Sequence, residues 1–422
     1  MEYENSSAFA KMCDHKDPLA HYRERFYIPI DNEDNELIYL CGNSLGCQPK
    51  SVASYIEQEL NDWADHAVEG HFKEKTPWLS YHELLSESMA EIVGAKPSEV
   101  VVMNTLTTNL HLMMVSFYNP TPERHKIIIE SDAFPSDKYA VESQIRQRGF
   151  DPAKSLLLWQ PRKGEELCRY EDLEALVKKH GDSVALLLIG NTNYYSGQFY
   201  PIKKITVLGH KNGSKIGFDL AHGVGNIMPE LHENGPDFAV WCTYKYLNSG
   251  PGSLGGCFVH ERHHKDKNIQ RFTGWWGQNK DTRFNMRKGF DPIPTAEGWQ
   301  LSNPPILSMA AVKASLDIFA EAGMKNIREK SERLTGYLEF LINDLKNDDI
   351  QIITPSNPAQ RGCQLSIQVK NADRSLHDKL TKTGVISDWR EPDVIRVAPA
   401  PLYNSYEDVF EMVQRLKKVL LA

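Results

Sequence analysis

WCTYKYLNSGPGSLGG (241–256) sets one lysine between two tyrosines and then gives way to glycine. Ahead of it, PDFAV (236–240) runs on through Trp241 and Cys242 as a short apolar stretch that reads as a buried strand. A lysine just past the end of a core strand is poorly explained as a surface cation. A lysine held in a partly desolvated pocket can bond covalently to a carbonyl carbon. Gly250, Gly252, Gly255 and Gly256 would then let the chain turn back tightly beside a bound ligand.

The same texture recurs upstream. EVVVMN (99–104), KIIIE (126–130), SLLLW (155–159), VALLLIG (184–190), KIGFD (215–219) and DFAVWC (237–242) read as strands. Most are continuously apolar, the pattern of strands covered by helices on both faces. Between them, 136–149 and 170–181 have helical spacing and each ends on glycine. The expected class is α/β with a mainly parallel sheet.

In such sheets ligands bind beyond the carboxyl ends of the strands. Thr105, Thr107 and Thr108 follow the first strand and open a helix, a turn that suits a phosphate and that N-capping alone also explains. AFPSDKYAVES (133–143) follows the next strand, with Phe134 able to lie beside a flat ligand, Pro135 and Ser136 at the turn, and Asp137 as a carboxylate at its rim. Asp219 ends a later strand, with His222 three residues on. An ionised Asp emerging from a buried strand needs a cationic or donor partner, and a protonated pyridine nitrogen would be one. Hydroxyl-rich turn, Asp, then Lys245 on successive strand ends is the order found in pyridoxal phosphate enzymes of the aspartate aminotransferase fold.

Composition excludes several classes. The chain has 422 residues, net charge −8 and no Lys/Arg cluster of nucleic-acid type; HERHHKDK (260–267) carries its own carboxylates. No apolar run approaches the length that crosses a bilayer, and the polar N-terminal stretch does not read as a signal peptide. The 7 cysteines, odd in number and without C-x-x-C spacing, argue against a disulfide framework and a structural zinc site. A cytoplasmic protein without a resident metal is expected.

Past NPPIL (303–307) the chain reads as two helices, two strands and a last helix opened by a Ser405/Asp408 capping box. The expected organisation is an N-terminal segment over 1–65 packing on both domains, a large cofactor-binding domain over 66–302, and a small α+β domain over 303–422.

CGNSLG (41–46), NTLTTNLHLMMVSFY (104–118), FPSDKYAVESQ (134–144), GFDLAHGVGN (217–226), WCTYKYLNSGPG (241–252), GWWG (274–277), SNPPIL (302–307) and RVAPAPLYNS (396–405) together resemble the kynureninase family. The resemblance implies the pyridoxal phosphate-dependent transferase-like fold (fold type I) and hydrolytic Cβ–Cγ cleavage of kynurenines. It implies that Lys245 holds pyridoxal 5'-phosphate covalently, Asp219 pairs with the ring nitrogen, and Phe134 stacks on the ring. Leu106, Thr107, Pro135, Ser136 and Asp137 would line the cofactor, Tyr244 would reach the phosphate and relay a proton, and His222 would lie close to the ring. Trp275 and Asn303 would enter from the second subunit of a homodimer. Arg396 would clamp the substrate α-carboxylate, while Ser44, His71, Ser302 and Asn303 would face the substrate; His71, Ser302 and Asn303 imply preference for 3-hydroxykynurenine. One departure stands out: Gly190 occupies a place where the family usually has Ser or Thr. Two rival readings remain at this point, a cysteine desulfurase-type lyase using Cys363 and a non-catalytic binding relative.

Overall fold

The computed structural model describes residues 2–73, 75–286 and 288–421. Seven strands form the central sheet: β1 (Val100–Met103), β2 (Lys126–Glu130), β3 (Leu156–Trp159), β4 (Val184–Gly190), β5 (Lys215–Asp219), β6 (Phe238–Cys242) and β7 (Gly255–Val259). They lie in the order β1-β7-β6-β5-β4-β2-β3, and all pairings are parallel except those of β7. Alternate residues of each strand enter two different cores. Val102, Ile128, Leu187, Phe218 and Trp241 join one cluster, while Val101, Ile127, Leu186, Val240 and Cys257 join the other. That split is why the strands are apolar throughout: both faces are buried.

β7 was not anticipated, and it revises the reading of the glycines. Gly255 and Gly256 belong to this antiparallel strand, where a Cβ on Gly256 would lie 2.2 Å from the indole of Trp241. They admit a tryptophan, not a ligand. Gly250 and Gly252, at φ +98° and +66°, form the turn that reverses the chain between β6 and β7.

A smaller antiparallel sheet follows, built from β8 (Ile350–Ile352), β9 (Leu365–Val369), β10 (Asp388–Arg390) and β11 (Val394–Val397) in the order β8-β9-β11-β10. Helices Met324–Asp344 and Tyr406–Leu421 cover it. The capping box of the last helix forms: Asp408 N–H donates to Ser405 Oγ at 3.0 Å, and Ser405 N–H to the Asp408 carboxylate at 3.1 Å.

Helix Ile306–Ala322, grouped by sequence texture with the small unit, buries Met309, Val312, Leu316 and Phe319 in the large core. Residue 303 therefore marks a change of texture and not a change of core. The cores divide between Ile327 and Leu334, inside one long helix. Phe9, Cys13 and Leu40 of the N-terminal segment pack in the small core, whereas Tyr22, Phe26 and Cys47 pack in the large one. No helix among the described residues is long and apolar enough to cross a membrane.

Candidate active site

The carboxyl ends of β1, β2, β4, β5 and β6 open onto one cavity of ≈ 450 Å³. β1 leads into Thr105, Leu106 and Thr107, and β2 ends in Glu130 and leads to Phe134, Ser136 and Asp137. Asp219 and His222 follow β5; Tyr244 and Lys245 follow β6. Ser44 and Asn43 from the N-terminal segment and Arg396 from β11 complete the wall.

One part of the wall is built for an anion. Helices Leu106–Phe117 and Pro135–Gln147 both begin here, and neither N-cap residue, Thr105 or Phe134, caps its helix through a side chain. Unpaired first-turn N–H groups and two positive dipole ends thus meet at the cavity. Thr107 Oγ1 and Ser136 Oγ, one from each helix, lie 3.0 Å apart. Pro135 is the first residue of its helix, sets the turn, and does not line the cavity.

Another part is built for a cation. Asp219 is 6% exposed and accepts a hydrogen bond from Ala221 N–H at 2.7 Å. Asp137 is buried beside it; burial, then the charges of Asp219 and Glu130, push its carboxyl well above the ordinary range. Asp137 therefore keeps a proton and donates to Asp219, which carries the negative charge. Lys245 lies between these groups and His222, with Nζ donating to His222 Nε2 at 3.1 Å and standing 5.9 Å from the Phe134 ring centroid. Burial, with the charges of Lys245, Arg396 and Arg390, holds His222 well below its usual pKa, so it stays a neutral acceptor. Burial pushes the Tyr244 phenol up, leaving it a proton donor at neutral pH. These groups fit pyridoxal phosphate. The helix starts and hydroxyls suit the phosphate, Phe134 offers a ring face, Asp219 needs a buried cation, and Lys245 can bond the aldehyde carbon.

The departure at Gly190 has a physical cause. Glu130, 2% exposed, fills the place where a side chain would be: a Cβ on Gly190 would sit 2.5 Å from Glu130 Oε1. Gly190 N–H donates to both carboxyl oxygens at 3.1 Å. Burial pushes Glu130 up to about 8, against the pull of its own and the Gly190 backbone N–H groups. The folded chain thus holds a proton on Glu130 that the unfolded chain releases near pH 4.5, so this group erodes stability as pH rises from about 4.5 to 8. Glu130→Gln keeps the shape and removes the titration. In urea unfolding at equal cofactor excess, the variant should gain on the parent by on the order of 3 kcal/mol between pH 5 and pH 8. A difference independent of pH would refute the assignment.

Of the residues expected from the sequence, Ser44, Leu106, Thr107, Phe134, Ser136, Asp137, Asp219, His222, Tyr244, Lys245 and Arg396 meet at this cavity. His71, Trp275, Ser302 and Asn303 do not reach the cavity of their own chain. The His71 ring bonds Val68 O at 3.0 Å and packs edge-on to Trp78, Trp275 is 46% exposed beside Phe284, and Ser302 and Asn303 are exposed. Asn43, Glu130, Tyr194 and Arg390 line the cavity without having been singled out. Glu130 carried a readable signal, a charged residue closing an apolar strand as Asp219 does. Cys363 is buried, donates its N–H to Asn226 Oδ1 at 2.8 Å, and has a thiol pushed up to about 12 by burial. It cannot act as the mobile nucleophile a desulfurase needs.

Sheet order, strand-end lysine and buried aspartate together define a pyridoxal phosphate-dependent enzyme of fold type I. A cysteine desulfurase from Thermococcus onnurineus NA1 shares the fold, with TM-score 0.77 and 15% identity over 95% of this chain and 98% of that one. Residues 327–416 match the kynureninase C-terminal domain model. The kynureninase of Myxococcus xanthus is 53% identical over 98% of this chain and 97% of its own length. That of Koribacter versatilis is 54% identical over the same shares, 98% and 97%. The chain belongs to the kynureninase family, pyridoxal phosphate-dependent hydrolases of carbon–carbon bonds.

Proposed function

We propose that this protein hydrolyses the Cβ–Cγ bond of L-kynurenine and L-3-hydroxykynurenine, giving anthranilate or 3-hydroxyanthranilate and L-alanine, with the hydroxylated substrate preferred. The observation that carries the reading is the meeting of Lys245, Asp219 and Arg396 in one cavity. The first two groups serve the cofactor, and the third can serve a substrate carboxylate.

Bound pyridoxal phosphate supplies the electron sink that makes bonds at Cα and Cβ labile. The chain orients and moves protons. Arg396 holds the α-carboxylate with its two-pronged guanidinium. Lys245 Nζ would take the Cα proton, and neutral His222 keeps Nζ aimed by accepting from it. Asp219 would hold the ring nitrogen protonated, and Asp137 fixes Asp219 by donating to it. Water adds at the γ-carbonyl, the Cβ–Cγ bond breaks with its electron pair left on Cβ, and Tyr244 would give that carbon a proton.

The site is further proposed to be completed by a second copy of the chain, with Trp275 and Asn303 entering from it and His71 and Ser302 at the same junction. The segments around His71 and Trp275 expose Trp63, Val68, Phe72, Phe272, Phe284 and Met286. Exposed apolar side chains of this size favour burial against a partner. A pocket that hydrogen-bonds a ring hydroxyl rejects the analogue lacking it. With cofactor-loaded protein and detection of both anthranilates, kcat/KM for L-3-hydroxykynurenine is expected to exceed that for L-kynurenine by about tenfold. A higher value for plain kynurenine would discard the ring-pocket assignment. No turnover of either would discard the function.

A further inference from the structure

Two arginines share one carboxylate at the wall of the cavity. Asp388 in β10 stands opposite Arg396 in β11 in the strand register, and Arg390 lies two residues on, along the same face of β10. Arg396 Nη2 donates to Asp388 Oδ2 at 2.6 Å. Arg390 pairs with the same group, Nη2 donating to Oδ2 at 3.1 Å, while its Nε lies 3.0 Å from Oδ1 in ion-pair contact without a hydrogen bond. Both guanidinium carbons flank the Tyr194 ring, 5.7 Å (Arg390) and 5.8 Å (Arg396) from its centroid. Arg390, Arg396 and Tyr194 all line the cavity that holds Lys245.

The charges do not balance. Arg396 is only 1% exposed, so its cation must be neutralised by what touches it. Its Nη1 is committed to the Tyr194 carbonyl at 2.5 Å and its Nη2 to Asp388, while Nε is buried without a partner. Two cations divide one anion, and a charged N–H is left without an acceptor. Such a site lacks one anionic acceptor. If Asp388 belonged to Arg396 alone, the pair would be neutral, and an incoming carboxylate would have to displace Asp388. Arg390 prevents this by drawing on the same carboxylate.

We propose that Arg390 is a positioning residue for substrate recognition: by sharing Asp388 it leaves Arg396 under-neutralised and open to the α-carboxylate of the substrate. The proposal rests on the reading of Arg396 as the carboxylate clamp.

The test compares Arg390→Gln, Arg390→Lys and Arg396→Gln in the cofactor-loaded enzyme. Each is assayed with L-kynurenine and with its α-carboxamide, as substrate or as competitive inhibitor. Arg390→Gln should raise KM for L-kynurenine about tenfold with kcat within about twofold, and should leave the KM or Ki of the uncharged amide unchanged. Arg390→Lys should recover most of the loss. Equal weakening of acid and amide would mean a purely structural role and would overturn the proposal, as would an unchanged KM for the acid. If Arg396→Gln weakens the acid but Arg390→Gln does not, the clamp stands and this proposal alone falls. If Arg396→Gln leaves the acid unaffected, both fall.

Discussion

Lys245→Ala is expected to lower kcat by at least about 10³-fold, because one atom is lost from two roles. Among the described residues Nζ is the only side-chain amine at the cavity wall, where it would bond the cofactor and take the Cα proton. Its other contacts are weak supports of the fold: a 3.1 Å hydrogen bond to His222 and an approach to the Phe134 ring. The variant should therefore fold, bind cofactor without a covalent link, and lack the absorbance of the linked form. Retention of a tenth of the parent's turnover would remove Lys245 from its role. The same variant tests the shared site. Co-expressed with Asn303→Ala, it should yield mixed dimers whose one Lys245-bearing site receives Asn303 from the Lys245→Ala chain, so isolated mixed dimers should show the parent's preference for L-3-hydroxykynurenine. The preference of the Asn303→Ala homodimer in those mixed dimers would refute the contribution of Asn303 from a second copy.

Asp237→Ala is expected to cost about 3–5 kcal/mol of stability, the loss typical when one member of a buried charged cluster is removed. Asp237, at the foot of β6, is 1% exposed and collects donors from three directions. His210 Nε2 reaches it at 2.9 Å, His263 Nε2 at 2.7 Å and Ile216 N–H at 2.8 Å. One side chain thus ties β5 and β6, the strands that carry Asp219 and Lys245, to a flanking helix and to the segment after β7. Burial alone would raise its pKa; the hydrogen bonds from His210 and His263 and the charge of Lys215 outweigh it and hold the carboxyl well below its usual range. Its contribution is then complete above about pH 4, the unfolded value, and fades as pH falls further. Urea midpoints of parent and variant at pH 7 measure the effect, and a loss under about 1 kcal/mol would show the cluster to be replaceable.

How far the site could be read without coordinates depended on whether its chemistry followed from local order. Asp219 and Lys245 each close an apolar run, and in a parallel sheet strand ends share one edge, so their meeting followed from the class of fold. The hydroxyls of Thr107 and Ser136 were legible for the same reason, as first-turn residues of helices that begin where strands stop. β7 escaped because its first residues are glycines, whose lack of side chains suits a turn as well as a strand packed on Trp241. The core that helix Ile306–Ala322 enters was not legible, because helical spacing shows that a face is buried, not which core it enters.

The sequence by itself determined the two-faced strands, their helices, and the order in which hydroxyls, carboxylate and lysine arrive at the strand ends. These follow from periodicities of a few residues, which act whatever the rest of the chain does. Only the tertiary structure decided that Glu130 fills the place of a missing side chain on Gly190, that Asp137 keeps its proton and donates to Asp219, and that Arg390 and Arg396 divide Asp388 beside Tyr194. Glu130 and Gly190 are 60 residues apart, and Arg396 and Tyr194 are 202 apart. Which of these groups touch depends on which strands become neighbours and how the small sheet sits on the large one. Burial then sets their charges, because a carboxyl removed from water keeps its proton unless a cation or a donor holds the ionised form.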